Sequence, residues 1–538
     1  MMMTGEQAAG QVGVGGSESS AGAARVYVCP QRDQMFLLPV CMRDWLEEGH
    51  LAWFVLEVVG ELDTGELHRR PGGAPGRPPY EPEMMCALLL YAYCCGVRSS
   101  RRIEAGCRTD AAFRVICGGL VPDHATIARF VVDHERALEG LFVEGLRVCA
   151  AAGLADLSVV ALDGTKIAAD ASLARNRDAE WIRREVSKLM AVTGQDEQPA
   201  AAGPEGLPGL EAVAEISFPT GRMARLRAAL AVIEAEDAAA ADEAMRTAEA
   251  AMAEAEHGRK LGGRKPKDPL AALARAQADH AAAAARVNTL QAERERKLVA
   301  AARGERIAGP RPCRIEQAKR ALERAEVALA AAREAVKNAH AARRANITDP
   351  DSRIMTTQKG WVQGYNGQAI VNTNQIVLAC EVSQDAGDVQ LYQPMTDALA
   401  QTLAAAGINA DVELMLADAG YCSEANLTTP GPDRLIATTK DHKQRRAARE
   451  LGQTSGPAPP DATPVEEMEH LLRTPQGTSA YAQRSRLIEP IFGDRKHNRG
   501  IRGFRRRGLN AVRSEWAFIH LAGNMLKLHQ HRAAPATA

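Results

Sequence analysis

Three carboxylates in this 538-residue chain are spaced so that they could share metal ions. Asp163 follows the Val-rich run Leu157–Leu162, Asp418 follows the run Val412–Leu416, and Glu489 stands at the start of a basic C-terminal stretch. Taken singly, an Asp at such a place usually caps a turn or a helix. Taken together, the two runs read as strands. If they are neighbours in one sheet, their C-terminal ends set Asp163 and Asp418 side by side, and a helix packed on the sheet can add Glu489. Carboxylates so close repel, so without a cation one is protonated or the site is splayed. Hard oxygen ligands suit Mg²⁺, with Mn²⁺ as a substitute. Two such ions about 4 Å apart activate an attacking water or 3′-hydroxyl and stabilise the leaving oxygen in phosphodiester chemistry.

The elements that must position these residues follow from the periodicity. WVQGYNGQAIVN and QIVLACEVS form a hairpin about Thr373-Asn374. Val389–Leu403 reads as a helix, Val412–Leu416 and Leu435–Thr438 as strands, and Asp163-Gly164 as the turn that ends the first strand. The order is β, long insertion, β, β, α, β, β. Pro490 sets Glu489 at a helix start or a kink, because a residue before proline avoids helical dihedrals.

Before the first strand the chain reads as all helix. RSSRRIEAGCRTDAAFRVI, the Gly118-Gly119 turn, and a helix capped by Asp123 suggest a helix-turn-helix that would set Arg98, Arg101 and Arg102 against DNA. An ordinary helical hairpin with a solvated basic edge fits the same residues. Inside the insertion, Gly221–Ala345 is rich in Ala, Glu, Arg and Leu and breaks into three long helices. The last is a heptad, with Ile315, Leu322, Leu329 and Val336 at one position and Ala318, Ala325, Ala332 and Ala339 at the other. The basic loop Gly258–Lys267 between two of these helices is a solvated linker or a phosphate contact.

Composition agrees with a folded protein of more than one core, at 46% hydrophobic and 25% charged residues. The net charge of −1 hides an asymmetry, since twelve Lys and Arg face three acidic residues from Tyr481 onward. That segment should attract polyanions. The longest apolar run, Met84–Cys95, is too short to span a bilayer, so no membrane partner is expected. Neither the opening residues nor the 11 scattered cysteines suggest export, and the expected location is the cytoplasm.

Several stretches resemble the DDE transposases of bacterial insertion sequences, in particular the branch numbered eleven-eighty-two. They are RPPYEPEMMCALLLYAYCCGVRSSRRIEAGCRTDAAFRVICGG, PDHATIARF, LDGTKIAADAS, DPDSRIM, GYNGQAIV, LADAGYCSEANL and IEPIFGDRKHNRGIRGFRRRGL. The resemblance implies a ribonuclease H-like α/β catalytic core, a mixed sheet flanked by helices, with an all-α N-terminal domain and a long inserted helical coiled-coil arm. It carries the catalytic and metal-binding triad onto Asp163, Asp418 and Glu489. Tyr481, Arg484, Glu489 and Lys496 resemble a related tyrosine, arginine, glutamate and lysine signature, with four residues instead of three between Arg484 and Glu489.

The implied protein binds the terminal inverted repeats of its element and target DNA as a homodimer, and cleaves and joins strands with two Mg²⁺ ions. The expected division is a disordered tail at 1–25, an all-helical DNA-binding domain at 26–150, core at 151–175, arm at 176–350, the remaining core at 351–532, and a disordered tail at 533–538. Three other readings use the same residues: a catalytically silent DNA-binding descendant, a metal-dependent nuclease without strand transfer, and a coiled-coil scaffold.

Overall fold

The computed structural model describes residues 28–30, 32–33, 41–69, 78–193, 221–256, 269–357, 359–439, 446, 450 and 452–534. The expected N-terminal tail, residues 535–538 of the C-terminal tail and the basic loop Gly258–Lys267 lie outside them. The chain divides into two compact units, one of Met1–Asp170 with Ile354–Ala538 and the other of Ala171–Arg353.

The first unit opens with α1 (Leu51–Glu61), α2 (Pro82–Cys94), α3 (Ser100–Thr109), α4 (Ala111–Ile116), α5 (His124–Asp133) and α6 (Glu135–Ala151). The single helix expected from Arg98 to Ile116 is two. Asp110 turns extended, and its Oδ1 accepts from the amides of Ala112 and Phe113, so it caps α4 where α3 ends. Asp123 caps α5 in the same way, as expected.

β1 (Val159–Ala168) then enters the sheet. In the other unit follow β2 (Asn176–Asp178), α7 (Ala179–Thr193), α8 (Arg222–Glu256), α9 (Pro269–Ala302), α10 (Pro312–Ala342) and β3 (Arg344–Asn346), which pairs antiparallel with β2. Ile182, Leu226, Ala229, Ile233 and Ala345 form a small core there. The three long Ala-rich helices are present and pack in sequence, α8 on α9 and α9 on α10. On α10 the heptad faces inward: Ile315 and Ala318 are buried and Leu322, Leu329 and Val336 half-buried, while Glu323, Arg324 and Val327 are exposed.

The chain returns through β4 (Arg353–Thr357), β5 (Gly360–Asn372), β6 (Val377–Ser383), α11 (Tyr392–Ala405), β7 (Leu414–Ala417), α12 (Glu424–Thr428) and β8 (Asp433–Ile436). It closes with α13 (Pro464–Arg473), α14 (Pro475–Tyr481), α15 (Gln483–Gly493) and α16 (Leu509–Ala533). The expected hairpin is β5–β6. The sheet runs β6-β5-β1-β7-β8, with β4 also on β5; β5 is antiparallel to β1 and β6, and β7 parallel to β1 and β8. This is a mixed sheet flanked by helices.

α16 explains why the N-terminal helices share a unit with the sheet. Residues on every side of it, among them Trp516, Phe518, Leu521, Ala522 and Met525, are buried, as befits a helix covered all round. Towards the N-terminal helices, Phe518 meets Tyr93 edge-on at 5.0 Å. Gly145 on α6 leaves room for Leu521, whose Cδ1 would lie 2.3 Å from a Cβ there. Towards the sheet, the Trp516 indole N–H donates to the Gln368 carbonyl at 3.0 Å.

Candidate active site

Asp163 is not at a turn. β1 continues through Gly164-Thr165-Lys166-Ile167 to Ala168, because β5 offers nine consecutive partners from Asn372 to Gly364. Asp163 is thus a mid-strand residue opposite Ala369. Its approach to Asp418 comes from β7, which ends at Ala417 with Ala417 beside Leu162 in parallel register. The next residue on each strand is an Asp, so the two carboxylates leave adjacent strands at one level.

Each is held by local backbone. Asp163 Oδ1 accepts from the Gly164 amide at 2.7 Å. Asp418 caps the short 3₁₀ turn Ala419–Tyr421, its Oδ1 accepting from the Gly420 amide at 2.8 Å. Burial and the Asp418 charge push the Asp163 carboxyl up to about 6, although Arg484 and the Gly164 amide pull it down. The upward direction is that expected of carboxylates that repel with no cation between them.

α15 packs on β1 and brings two cations to the same sheet face. Arg484 Nη1 donates to Asp163 Oδ2 at 3.0 Å, and only 8% of the Arg484 side chain is exposed. Lys496, in the π-helical turn Asp494–Asn498 after α15, donates to Thr165 Oγ1. Burial holds its ammonium below the ordinary lysine range even with Asp163 nearby. Tyr481 ends α14, half-buried.

Glu489 is differently placed. Arg484, Ile488 and Ile491 form the buried face of α15, at the four- and three-residue spacing of one helix side. Glu489 falls on the exposed side, with no ion pair among the described residues. Nor do the described residues contain a group of three His, Cys, Asp or Glu able to hold a metal. Asp163 and Asp418, a like-charged oxygen pair with one counter-cation, still fit a hard divalent ion.

Of the two placements expected at Pro490, the helix start is not met: α15 begins at Gln483 and runs through Pro490, and the helix widens afterwards, at Asp494–Asn498. The Arg486 carbonyl, which would take the N–H that proline lacks, accepts from the Gln375 side-chain amide.

Of the three arginines expected on a DNA-facing edge, Arg98 is withdrawn from it. It is buried, with Nη1 on Glu515 Oε1 at 2.7 Å and Nη2 on the Gly503 carbonyl at 3.0 Å. A fully buried carboxylate needs such a partner. Arg101 and Arg102 are exposed on α3. α3 and α5 are tied by Glu104, which accepts from the His124 amide at 3.0 Å.

Family-level comparison matches a transposase domain (DUF772) to residues 40–133 and a transposase DDE domain to residues 459–529. The chain thus carries two transposase domains, the second of the DDE type. Both transposase matches fall in the first unit, the earlier over α1–α5 and the later over α13–α15 and most of α16. The DDE match includes Arg484, Glu489 and Lys496, while Asp163 and Asp418 precede it. Among curated proteins and solved structures nothing matches. No helix among the transposase's described residues is long and apolar enough to cross a membrane.

Sequence reasoning missed one group beside the Asp pair. Asp388, before α11, accepts from Lys166 at 3.1 Å, Asn366 at 2.7 Å and Gln368 at 3.0 Å. Gln368 in turn accepts from the Tyr421 hydroxyl. No spacing rule points to Asp388; the polar alternation Asn366, Gln368 on a strand otherwise buried was the available signal.

Proposed function

We propose that this transposase binds the terminal inverted repeats of its insertion sequence, cuts them with Mg²⁺, and joins the freed 3′-hydroxyl ends to target DNA. The core is read as ribonuclease H-like, which the strand order β6-β5-β1-β7-β8, with β5 antiparallel and β7 parallel to β1, supports. The observation that carries the reading is the Leu162–Ala417 register, which brings Asp163 and Asp418 together in a chain of this family.

In this reading Asp163 and Asp418 hold the ions, with Glu489 joining from α15 when DNA and metal are present. Bound Mg²⁺ would supply an activated nucleophile and neutralise charge at the phosphate. Arg484 neutralises Asp163 in the metal-free state and orients it. Lys496, with Tyr481 nearby in sequence, is read as a phosphate contact. Arg101 and Arg102 on α3 are read as DNA contacts, and the α8–α10 arm as an assembly device that joins two copies on paired ends.

The test is cleavage of labelled DNA bearing the sequences that flank the gene, with Mg²⁺ or Mn²⁺, for wild type and Asp418→Ala. Cuts at the repeat ends that vanish in the variant are expected. The outward position of Glu489 favours a second reading, a silent DNA-binding descendant. Equal DNA binding with no cutting by wild type is its outcome.

A further inference from the structure

Gly164 follows Asp163 and Gly420 lies two residues after Asp418, and neither has the positive φ that would call for glycine. What excludes a side chain at each is in part the same group. A Cβ at Gly164 would lie 2.9 Å from Asp388 Oδ1 and 2.2 Å from Gln368 Nε2. A Cβ at Gly420 would lie 3.3 Å from Asp388 Oδ2 and 2.9 Å from Asp418 Oδ1. One carboxylate therefore packs against the backbone beside both members of the Asp pair.

Strand alternation says from which side. Gly164 and Lys166 stand opposite Gln368 and Asn366 in the β1–β5 ladder, so these four share the sheet face turned away from Asp163 and Thr165. Asp388 gathers donors from both strands on that face: Lys166 from β1, Asn366 and Gln368 from β5. All three reach Oδ1. The Gln368 amide carries the link onward, since its oxygen takes the hydroxyl of Tyr421, in the turn that Asp418 caps. Asn426 closes the circuit by donating to the carbonyls of Val389 and Tyr421, each at 2.7 Å, which ties the Asp388 loop to the Asp418 turn.

From this arrangement we infer that Asp388 is a positioning residue, fixing from behind the sheet the strand ends and the turn that present Asp163 and Asp418 to a divalent cation. The inference rests on the reading of that pair as the metal site. Asp388 works through hydrogen bonds to its neighbours and does not touch the ion. Its two oxygens help to leave no room for a side chain at Gly164 and little at Gly420, neither of which has a positive φ.

The test is Mn²⁺ binding to the full-length protein without DNA, followed by electron paramagnetic resonance, with thermal unfolding in parallel. Asp388→Ala should weaken Mn²⁺ binding about tenfold, the usual scale for losing an outer support. Asp388→Asn keeps an oxygen for the three donors and should bind close to wild type. Wild-type affinity in Asp388→Ala overturns the inference, and so does an equal loss in Asn and Ala, which would mean that charge and not placement acts. Should Asp388→Ala fail to fold, Lys166→Met, which removes the β1 donor alone, must weaken binding measurably; wild-type affinity there overturns it too. Asp418→Asn is the control. If that variant binds Mn²⁺ as wild type does, the underlying metal-site reading has failed, whatever the Asp388 variants do.

Discussion

The side-chain amide of Gln375 donates to the carbonyl of Arg486 at 3.3 Å, and Arg486 lies four residues before Pro490. In an uninterrupted helix that carbonyl takes the N–H of residue 490, which proline lacks. The missing donor is replaced from the β5–β6 turn. Gln375 is held for this by Lys527, whose ammonium meets its Oε1 at 2.6 Å, and it occupies a left-handed conformation at φ 59°.

Replacing Gln375 with Ala should cost about 1 kcal/mol, the worth of one hydrogen bond. In a Pro490→Ala background, where the helix regains its own donor, the same change should cost measurably less. Urea unfolding of the two single variants and the double variant gives the coupling, and additivity would reject the link.

Arg98 and its neighbours on the same stretch should part company. Arg98→Met leaves Glu515 buried without its cation and should cost about 3–5 kcal/mol. Arg101→Ala and Arg102→Ala should stay within about 0.5 kcal/mol of wild type. The latter pair should instead weaken DNA binding and lower its salt dependence, by roughly one unit of slope for each phosphate left without its cation. Unfolding curves and a salt titration of DNA affinity separate the two behaviours.

Asp163 sets a pH dependence. Its carboxyl is raised from 3.8 to about 6, so between those values the folded protein binds more protons than the unfolded chain. The sign follows: stability falls as pH rises from about 4 through 6, by about 2–3 kcal/mol at most. Asp163→Asn should flatten that part of the pH–stability curve in the metal-free protein. Arg484→Met, which removes the favourable cation, should move the window to higher pH. A window that moves lower contradicts the pairing seen at Asp163.

Two glycines give a steric contrast. A Cβ at Gly364 would sit 2.2 Å from the Ile167 carbonyl oxygen, inside the β1–β5 ladder, where backbone must move. Gly140, inside α6, has nothing within 4 Å. Gly364→Ala should lose about 3 kcal/mol or more, and Gly140→Ala should gain about 0.5–1 kcal/mol. The midpoints of thermal unfolding report both.

What could be read from the residues alone was whatever local pattern controls. The Val-rich and Leu-rich runs gave the two strands behind Asp163 and Asp418, and the Ala/Leu heptad gave α10. Strand length was not local: nothing in Gly164-Thr165-Lys166 announces a strand until β5 pairs with it. Arg98 looked like a surface base because its partner, Glu515, is far away in sequence. Pro490 looked like a possible helix start because the donor that meets the Arg486 carbonyl sits on another element. Asp388 escaped notice for the same reason, since its three donors come together only when β1 and β5 are side by side.

The position of α16 also bears on when the protein becomes competent. This helix leaves the ribosome after Asp163, Asp388 and Asp418, yet it is the middle layer of the first unit, with α2 and α6 on one flank and the sheet on the other. A nascent chain can carry all three acidic residues and still have no finished core to hold them. A gene copy interrupted ahead of α16 would therefore express every one of them without the layer on which the sheet and the N-terminal helices both pack.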